Sequence, residues 1–94
     1  MNIKLFRELE YFYQKHPKSK VLLISWSKRI KIINPKHFIE LRESFQQADQ
    51  VGEFTVFNIG SNYRLIALID YKFQLVIIRE VLTHKEYERG KWKK

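Results

Sequence analysis

The apolar positions of this chain change period near Asp49, from helical spacing to the dense runs that strands favour. Before that point, three segments carry apolar residues three to four positions apart, as one face of an amphipathic helix requires. The first helix is predicted over residues 5–16, where Pro17 would end it. The second is predicted over residues 19–33; the apolar run at residues 21–24 would also suit a strand, but the helical spacing continues for three turns and favours the helix. A short third helix is predicted after Asn34-Pro35, a pair that suits an N-cap and a first-turn proline.

Three later runs, rich in Phe, Val, Ile and Leu, predict antiparallel strands at residues 53–59, 63–70 and 74–82, with short turns between them. The last two runs are apolar at nearly every position. We therefore expect both faces of the sheet to be covered, one by the helices and the other by the tail or a partner. The sequence predicts a single α+β domain over residues 1–94. In it, N-terminal helices pack on a small antiparallel sheet of three to four strands, and a short C-terminal helix follows.

The start of that last helix is marked by a T-x-x-E capping box, in which Thr83 and Glu86 each satisfy the other's backbone amide. Leu82 and Tyr87 occupy the two positions of a hydrophobic staple across the box. His84 then becomes the first helical residue. The positive end of the helix dipole disfavours an imidazolium there, so we expect a neutral ring that can accept a proton near pH 7. Tyr87, three residues further on, shares its face of the helix.

Two arginines, Arg64 and Arg79, interrupt otherwise apolar strands, where a guanidinium needs a carboxylate, a phosphate or water. Whether the two arginines are neighbours in the sheet depends on the register of the hairpin between the last two strands. If Asp70 faces the residue four positions on, Arg64 faces Glu80 in a cross-strand ion pair. If Asp70 faces the residue three positions on, the two arginines become neighbours, and an anion such as a phosphate would have to lie between them. The sequence leaves both registers open.

The chain has 18 Lys and Arg against 10 Asp and Glu, a formal charge of +8. For so small a domain, this excess predicts attraction to a polyanion that weakens as salt rises. Cations with an aromatic among them also suit nucleic-acid binding by the tail, although a solvated end fits the same residues. The tail candidates for contacting RNA are Lys85, Arg89, Lys91, Trp92 and Lys93.

Other chemistries have little support in the sequence. There is no cysteine, and the three histidines show no ligand spacing, so we predict neither a metal nor a cofactor. The aliphatic runs are far shorter than the roughly 20 residues that span a bilayer, and no signal-peptide pattern opens the chain. We therefore expect a cytoplasmic protein that does not bind membranes.

Four pieces of the sequence carry a resemblance to a known family: Phe57-Asn58-Ile59, Tyr63-Arg64-Leu65-Ile66, Val76-Ile77-Ile78-Arg79 and Thr83-His84-Lys85-Glu86-Tyr87. In this order they resemble the HigB-type messenger RNA interferase toxins of bacterial toxin–antitoxin pairs, a branch of the RelE-like superfamily. The resemblance implies a RelE-like fold and a metal-independent endoribonuclease. The histidine and the tyrosine of the last piece match the family pattern. Our hypothesis gives His84 the proton transfer, Arg64 and Arg79 the phosphate charge, and Tyr87 either a proton donation or base stacking.

The resemblance also implies partners. These are an antitoxin of the HigA type with a helix-turn-helix domain, messenger RNA cut on the ribosome, and operator DNA reached only through the antitoxin complex. The chain departs from the family at a shorter turn, Gly60-Ser61-Asn62, and at Glu80, which replaces an apolar residue and could neutralise Arg79. The alternative is a non-catalytic basic module that binds RNA or the ribosome, in which His84 and Tyr87 only begin a helix.

Overall fold

A computed structural model describes residues 1–93 of the chain. Within this range one mixed sheet has the strand order β1-β5-β4-β3-β2, with β1 parallel to β5 and the other neighbours antiparallel. The strands are β1 (Asn2–Lys4), β2 (Asp49–Val51), β3 (Phe54–Ile59), β4 (Tyr63–Asp70) and β5 (Leu75–Thr83). The α-helices are α1 (Arg7–Lys15), α2 (Lys20–Lys31), α3 (Phe38–Ser44) and α4 (His84–Glu88). Short 3₁₀ turns cover Pro17–Ser19 and Lys91–Lys93.

The α+β class, the first two helices and the three long strands are confirmed, and the predicted bounds of β4 match those observed. The prediction of three to four antiparallel strands is wrong, because five strands form the sheet and one pair is parallel. The description of the N-terminal part as helical is also incomplete, since β1 precedes α1. Both missed strands are three residues long, which is too short for an alternating pattern to be recognised.

The third helix begins later than predicted. Asn34 does not cap it; His37 does, through Nδ1, which accepts from the Glu40 amide at 3.3 Å, and α3 starts at Phe38. The buried Pro35 is instead tied to the turn before β5, where its carbonyl accepts from Gln74 Nε2 at 2.8 Å. This tertiary contact holds the Asn34-Pro35 segment outside the helix.

The two faces of the sheet carry separate apolar clusters, because neighbouring residues of a strand point to opposite faces. On one face, α1, α2 and α3 cover the main core, which includes Leu65 and Ala67 of β4. On the other face Ile66 belongs to a smaller cluster with Val56, Leu82 and Trp92. The prediction that both faces are covered is confirmed, and Trp92 identifies the tail as the second cover. No helix described within residues 1–93 is long and apolar enough to cross a membrane.

Both hairpin registers considered from the sequence are wrong. Asp70 faces Leu75. The turn is therefore one residue longer than in the register that pairs Asp70 with Gln74. Together with a one-residue register shift between Ile66 and Ala67, this turn places Arg64 opposite Leu82, so neither Glu80 nor Arg79 lies opposite Arg64.

Candidate active site

The first turn of α4 is fixed by local hydrogen bonds, as the sequence predicted. The Thr83 hydroxyl accepts from the Glu86 amide at 3.2 Å, and Glu86 Oε1 accepts from the Thr83 amide at 2.9 Å. The next amide, that of His84, donates to the carbonyl of Asn62 at 2.8 Å. The helix start is therefore attached to the turn between β3 and β4, and His84 lies beside that turn.

The His84 side chain lies at the surface in contact with a carboxylate. Its Nε2 is 2.6 Å from Glu88 Oε1, and the two side chains are 46% and 63% exposed. An ionised carboxylate only accepts hydrogen bonds, so Nε2 carries the proton in this contact. That assignment leaves Nδ1 as the nitrogen that can exchange a proton with a bound molecule. The neutral state of the ring stays a prediction.

Arg64 is held at the same end of the sheet. Its Nη1 donates to the carbonyls of Tyr63, at 2.8 Å, and Ser61, at 3.3 Å. Its guanidinium carbon lies 5.9 Å from the centre of the Tyr87 ring on α4. Arg64 also faces the residue two positions before His84 in the β4–β5 register. The structure therefore brings Arg64 and Tyr87 into contact next to the helix start that carries His84.

Arg79 lies further along the same face of the sheet. It is the extra residue of a β-bulge, because Ile66 pairs with Glu80 while Ala67 pairs with Ile78. Its guanidinium carbon is 5.2 Å from the centre of the Phe54 ring.

Three rings connect the two arginines, and we call them the aromatic row: Tyr87, Trp92 and Phe54. Tyr87 stacks on Trp92 with 5.2 Å between ring centres, and Trp92 meets Phe54 edge to face at 6.1 Å. Arg64 contacts the first ring of the row and Arg79 the last. The two cations therefore share one face but are not the adjacent pair that one hairpin register predicted.

The tail differs from the expectation of a stacking surface for bases. Trp92 is only 4% exposed, and its Nε1 donates to the Tyr87 carbonyl at 3.0 Å. The ring packs on the sheet, so it stabilises the fold and does not present a face to RNA. The predicted cationic contacts in this region remain exposed: Lys85, Arg89, Lys91 and Lys93.

Sequence reasoning missed two polar residues beside this site. Asn58 faces Arg64 across β3 and β4, and its Nδ2 donates to Gln47 Oε1 at 3.0 Å. Asn58 is a polar residue at the end of an apolar strand, which is the one signal in the sequence that sets it apart. Gln47 lies in an irregular segment, and no pattern in the sequence connects it to Asn58. Among residues 1–93, no group of three or more acidic or histidine side chains is placed to hold a metal ion.

Comparison with known proteins identifies the protein family to which this chain belongs. The family model described as HigB toxin, the RelE-like toxic component of a toxin–antitoxin system, matches residues 19–90. This segment contains Arg64, Arg79, His84 and Tyr87, whereas the tail residues Lys91, Trp92 and Lys93 lie beyond its end. The chain therefore belongs to the HigB toxin family.

Individual relatives agree with this assignment. The chain is 33% identical over 79 residues to the mRNA interferase toxin HigB of Escherichia coli strain K12, an alignment that covers 80% of this chain and 76% of the relative. The proteins named mRNA interferase HigB from Escherichia coli O157:H7 and Shigella flexneri match with the same identity and coverage.

Proposed function

We propose that this protein is the toxin of a type II toxin–antitoxin pair and acts as an endoribonuclease on messenger RNA. Family membership and the names of its relatives support this function. The observation that carries the proposal is the placement of Arg64, Tyr87 and the His84 helix start at one end of the sheet. The formal charge of +8 supplies the attraction to an RNA backbone.

The reaction needs no nucleophile from the protein, because the 2′-hydroxyl of RNA can attack the neighbouring phosphorus. That oxygen loses its proton, negative charge develops on the phosphorane, and the leaving 5′-oxygen gains a proton. We assign the proton transfer to His84 through Nδ1, since Glu88 already occupies Nε2. A positioned acid or base contributes about 10²–10⁴-fold to such a step.

Arg64 is suited to the developing charge on the phosphorane. A guanidinium carries five N–H donors, and the contacts described for Arg64 use only Nη1. The Nη2 and Nε groups can therefore donate to phosphate oxygens while the backbone contacts hold the side chain in place.

Tyr87 and Arg79 take supporting roles in this proposal. The Tyr87 ring already contacts Trp92 and Arg64, which favours a proton-donating role for its hydroxyl over base stacking. Arg79 lies beyond the aromatic row, so we assign it to a neighbouring phosphate of the same strand and not to the reacting one.

The partners follow from the family. We propose that an antitoxin of the HigA type, with a helix-turn-helix domain, binds the toxin, and that operator DNA is contacted through that complex. We also propose that the messenger RNA is cut on the ribosome, in the cytoplasm. A ribosome would align the substrate, so a small site of this kind could be sufficient.

The test is induced expression in a bacterial host of the wild type, His84→Gln and Arg64→Ala, with His37→Gln and Arg7→Ala as matched controls. The controls change the same residue types at the N-cap of α3 and in the first turn of α1, away from the site, and circular dichroism checks that His37→Gln stays folded without its capping contact. We expect growth arrest and transcript cleavage from the wild type and both controls, but from neither site variant. Equal cleavage by all five folded proteins would contradict the proposed active site.

The alternative, a non-catalytic module that binds RNA or the ribosome, is favoured by the exposed cations around α4: Lys85, Arg89, Lys91 and Lys93. The same experiment separates the two functions. Growth arrest without new transcript ends would support the binding module, whereas new ends that require His84 would support the nuclease.

A further inference from the structure

A cavity of about 410 Å³ lies next to the candidate active site, between α2, the segment after α3 and the end of β3. Its lining includes Arg29, Phe45, Gln47 and Asn58. Asn58 also faces Arg64 across β3 and β4, and paired strands lie about 4.8 Å apart. The cavity therefore begins at the strand next to the one that carries Arg64, the residue assigned to the reacting phosphate. Its volume is within the range of about 300–1,000 Å³ that small-molecule sites occupy.

Two amide side chains that line this cavity offer hydrogen-bonding groups to a bound molecule. The β2–β3 register pairs Asp49 with Val56, and its continuation beyond β2 brings Gln47 opposite Asn58. At that point the amides bond to each other, from Asn58 Nδ2 to Gln47 Oε1. Asn58 Oδ1 is then left as an acceptor and Gln47 Nε2 as a donor. An acceptor beside a donor is the arrangement that recognises the edge of a nucleobase by two hydrogen bonds.

The planar guanidinium of Arg29 forms a second wall of the cavity. The Arg29 guanidinium carbon lies 4.3 Å from the centre of the Phe45 ring, and Arg29 Nη2 donates to the carbonyl of Ser44. These contacts hold an otherwise flexible side chain in one orientation. Arg29 is nevertheless exposed, so the guanidinium face directed away from Phe45 is accessible. Bases of single-stranded RNA stack on guanidinium planes held in this way.

We propose that this cavity is a nucleobase subsite for a nucleotide next to the cleaved linkage. In this site the base stacks on Arg29, and the Asn58–Gln47 amide pair reads its edge. The inference depends on the proposed ribonuclease function and adds its substrate specificity. An apolar cavity would not discriminate bases, whereas this one combines a donor, an acceptor and a cationic plane.

The test maps the new 5′ ends of cellular transcripts after induction of the wild type, Asn58→Ala, Gln47→Ala and Gln14→Ala. Gln14 is an exposed amide on α1 and serves as the matched control. We expect the wild type to enrich one base at one position beside the cut. In Asn58→Ala and in Gln47→Ala that enrichment should fall roughly fivefold or more, the loss expected when a two-bond base contact is broken. Gln14→Ala should keep the wild-type preference.

Three results would overturn the subsite. The wild type could cut with no base preference beside the cleaved linkage. The two amide variants could keep the preference in full. They could also lose cleavage equally at every sequence, which would indicate a structural role for the amide pair. Complete absence of transcript cleavage by the wild type would overturn the proposed function and this inference together, so the two failures are distinguishable.

Discussion

Replacement of Trp92 by alanine is expected to lower the free energy of unfolding by about 3 kcal/mol. The ring is 4% exposed and packs with Val56, Ile66 and Leu82 on the face of the sheet opposite α1, α2 and α3. It also stacks on Tyr87, which contacts Arg64. Removing it should therefore expose the second apolar cluster and loosen the support of the candidate active site.

The magnitude follows from the area that the ring covers. A buried tryptophan hides about 150–250 Å², which at about 25 cal/mol per Å² corresponds to roughly 4–6 kcal/mol. The real loss should be smaller, because alanine retains some contact and the tail can settle on the exposed cluster. The hydrogen bond from Nε1 to the Tyr87 carbonyl contributes about 1 kcal/mol of the total. A loss of this size is a large part of the roughly 5–15 kcal/mol that stabilises a domain.

The assay is urea unfolding followed by far-ultraviolet circular dichroism, which does not depend on tryptophan emission. Trp92→Phe is the matched control, because it keeps an aromatic ring on the cluster and removes the hydrogen bond. It should lose only about 1–2 kcal/mol. If Trp92→Ala unfolds within about 0.5 kcal/mol of the wild type, as a surface substitution would, the tail does not cover this face of the sheet.

Four further substitutions test three local features. Gly60 and Gly52 both have φ of +60°, but a Cβ at Gly60 would lie 2.9 Å from Leu22 Cδ1, whereas nothing lies within 4 Å of one at Gly52. Both alanine variants should lose about 1 kcal/mol in urea unfolding, and Gly60→Ala should lose more; equal losses would contradict the close approach. Thr83→Ala should cost about 1 kcal/mol by removing the cap of α4, and an unchanged stability would argue against the capping box. Burial raises the pKa of the Tyr71 hydroxyl above its usual value. Above about pH 10 the Tyr71 hydroxyl therefore loses its proton more readily in the unfolded chain than in the folded one. The free energy of unfolding consequently falls as pH rises. Tyr71→Phe should weaken that fall in unfolding measured from about pH 9 to 11, and an identical pH dependence would refute the assignment.

Features set by neighbouring residues could be predicted from the sequence. The capping box at Thr83 and Glu86 depends on two side chains three positions apart, and it forms as expected. The box also determines the place of His84 at the start of α4 without any long-range contact. The bounds of β4 could also be predicted, because turn residues lie on both sides of its dense apolar run.

The relation between the two arginines could not be predicted, because it depends on the turn length and on a bulge. One additional turn residue and one extra residue at Arg79 placed Arg64 opposite Leu82. Each shift changes which side chains are neighbours, and neither leaves a mark in the apolar pattern of β5.

Contacts between residues far apart in the sequence explain the remaining differences between the predicted and the observed site. Trp92 among cations had the composition of an RNA contact, yet its large apolar ring is buried against three strands. The Asn58–Gln47 pair joins a strand to an irregular segment eleven residues away, which no periodicity connects. Such contacts are decided by packing, so only the structure could identify them.

The proposed reaction requires Arg64 and His84 to act on one ribonucleotide linkage and to promote attack by its own 2′-hydroxyl. The most direct measurement is the chemistry of the new ends left on a defined transcript after cleavage by the wild type, with His84→Gln as the comparison. We expect a 2′,3′-cyclic phosphate or 3′-phosphate on one fragment and a 5′-hydroxyl on the other, and we expect neither product from the variant. A 3′-hydroxyl paired with a 5′-phosphate, or the same ends at the same rate from His84→Gln, would contradict it.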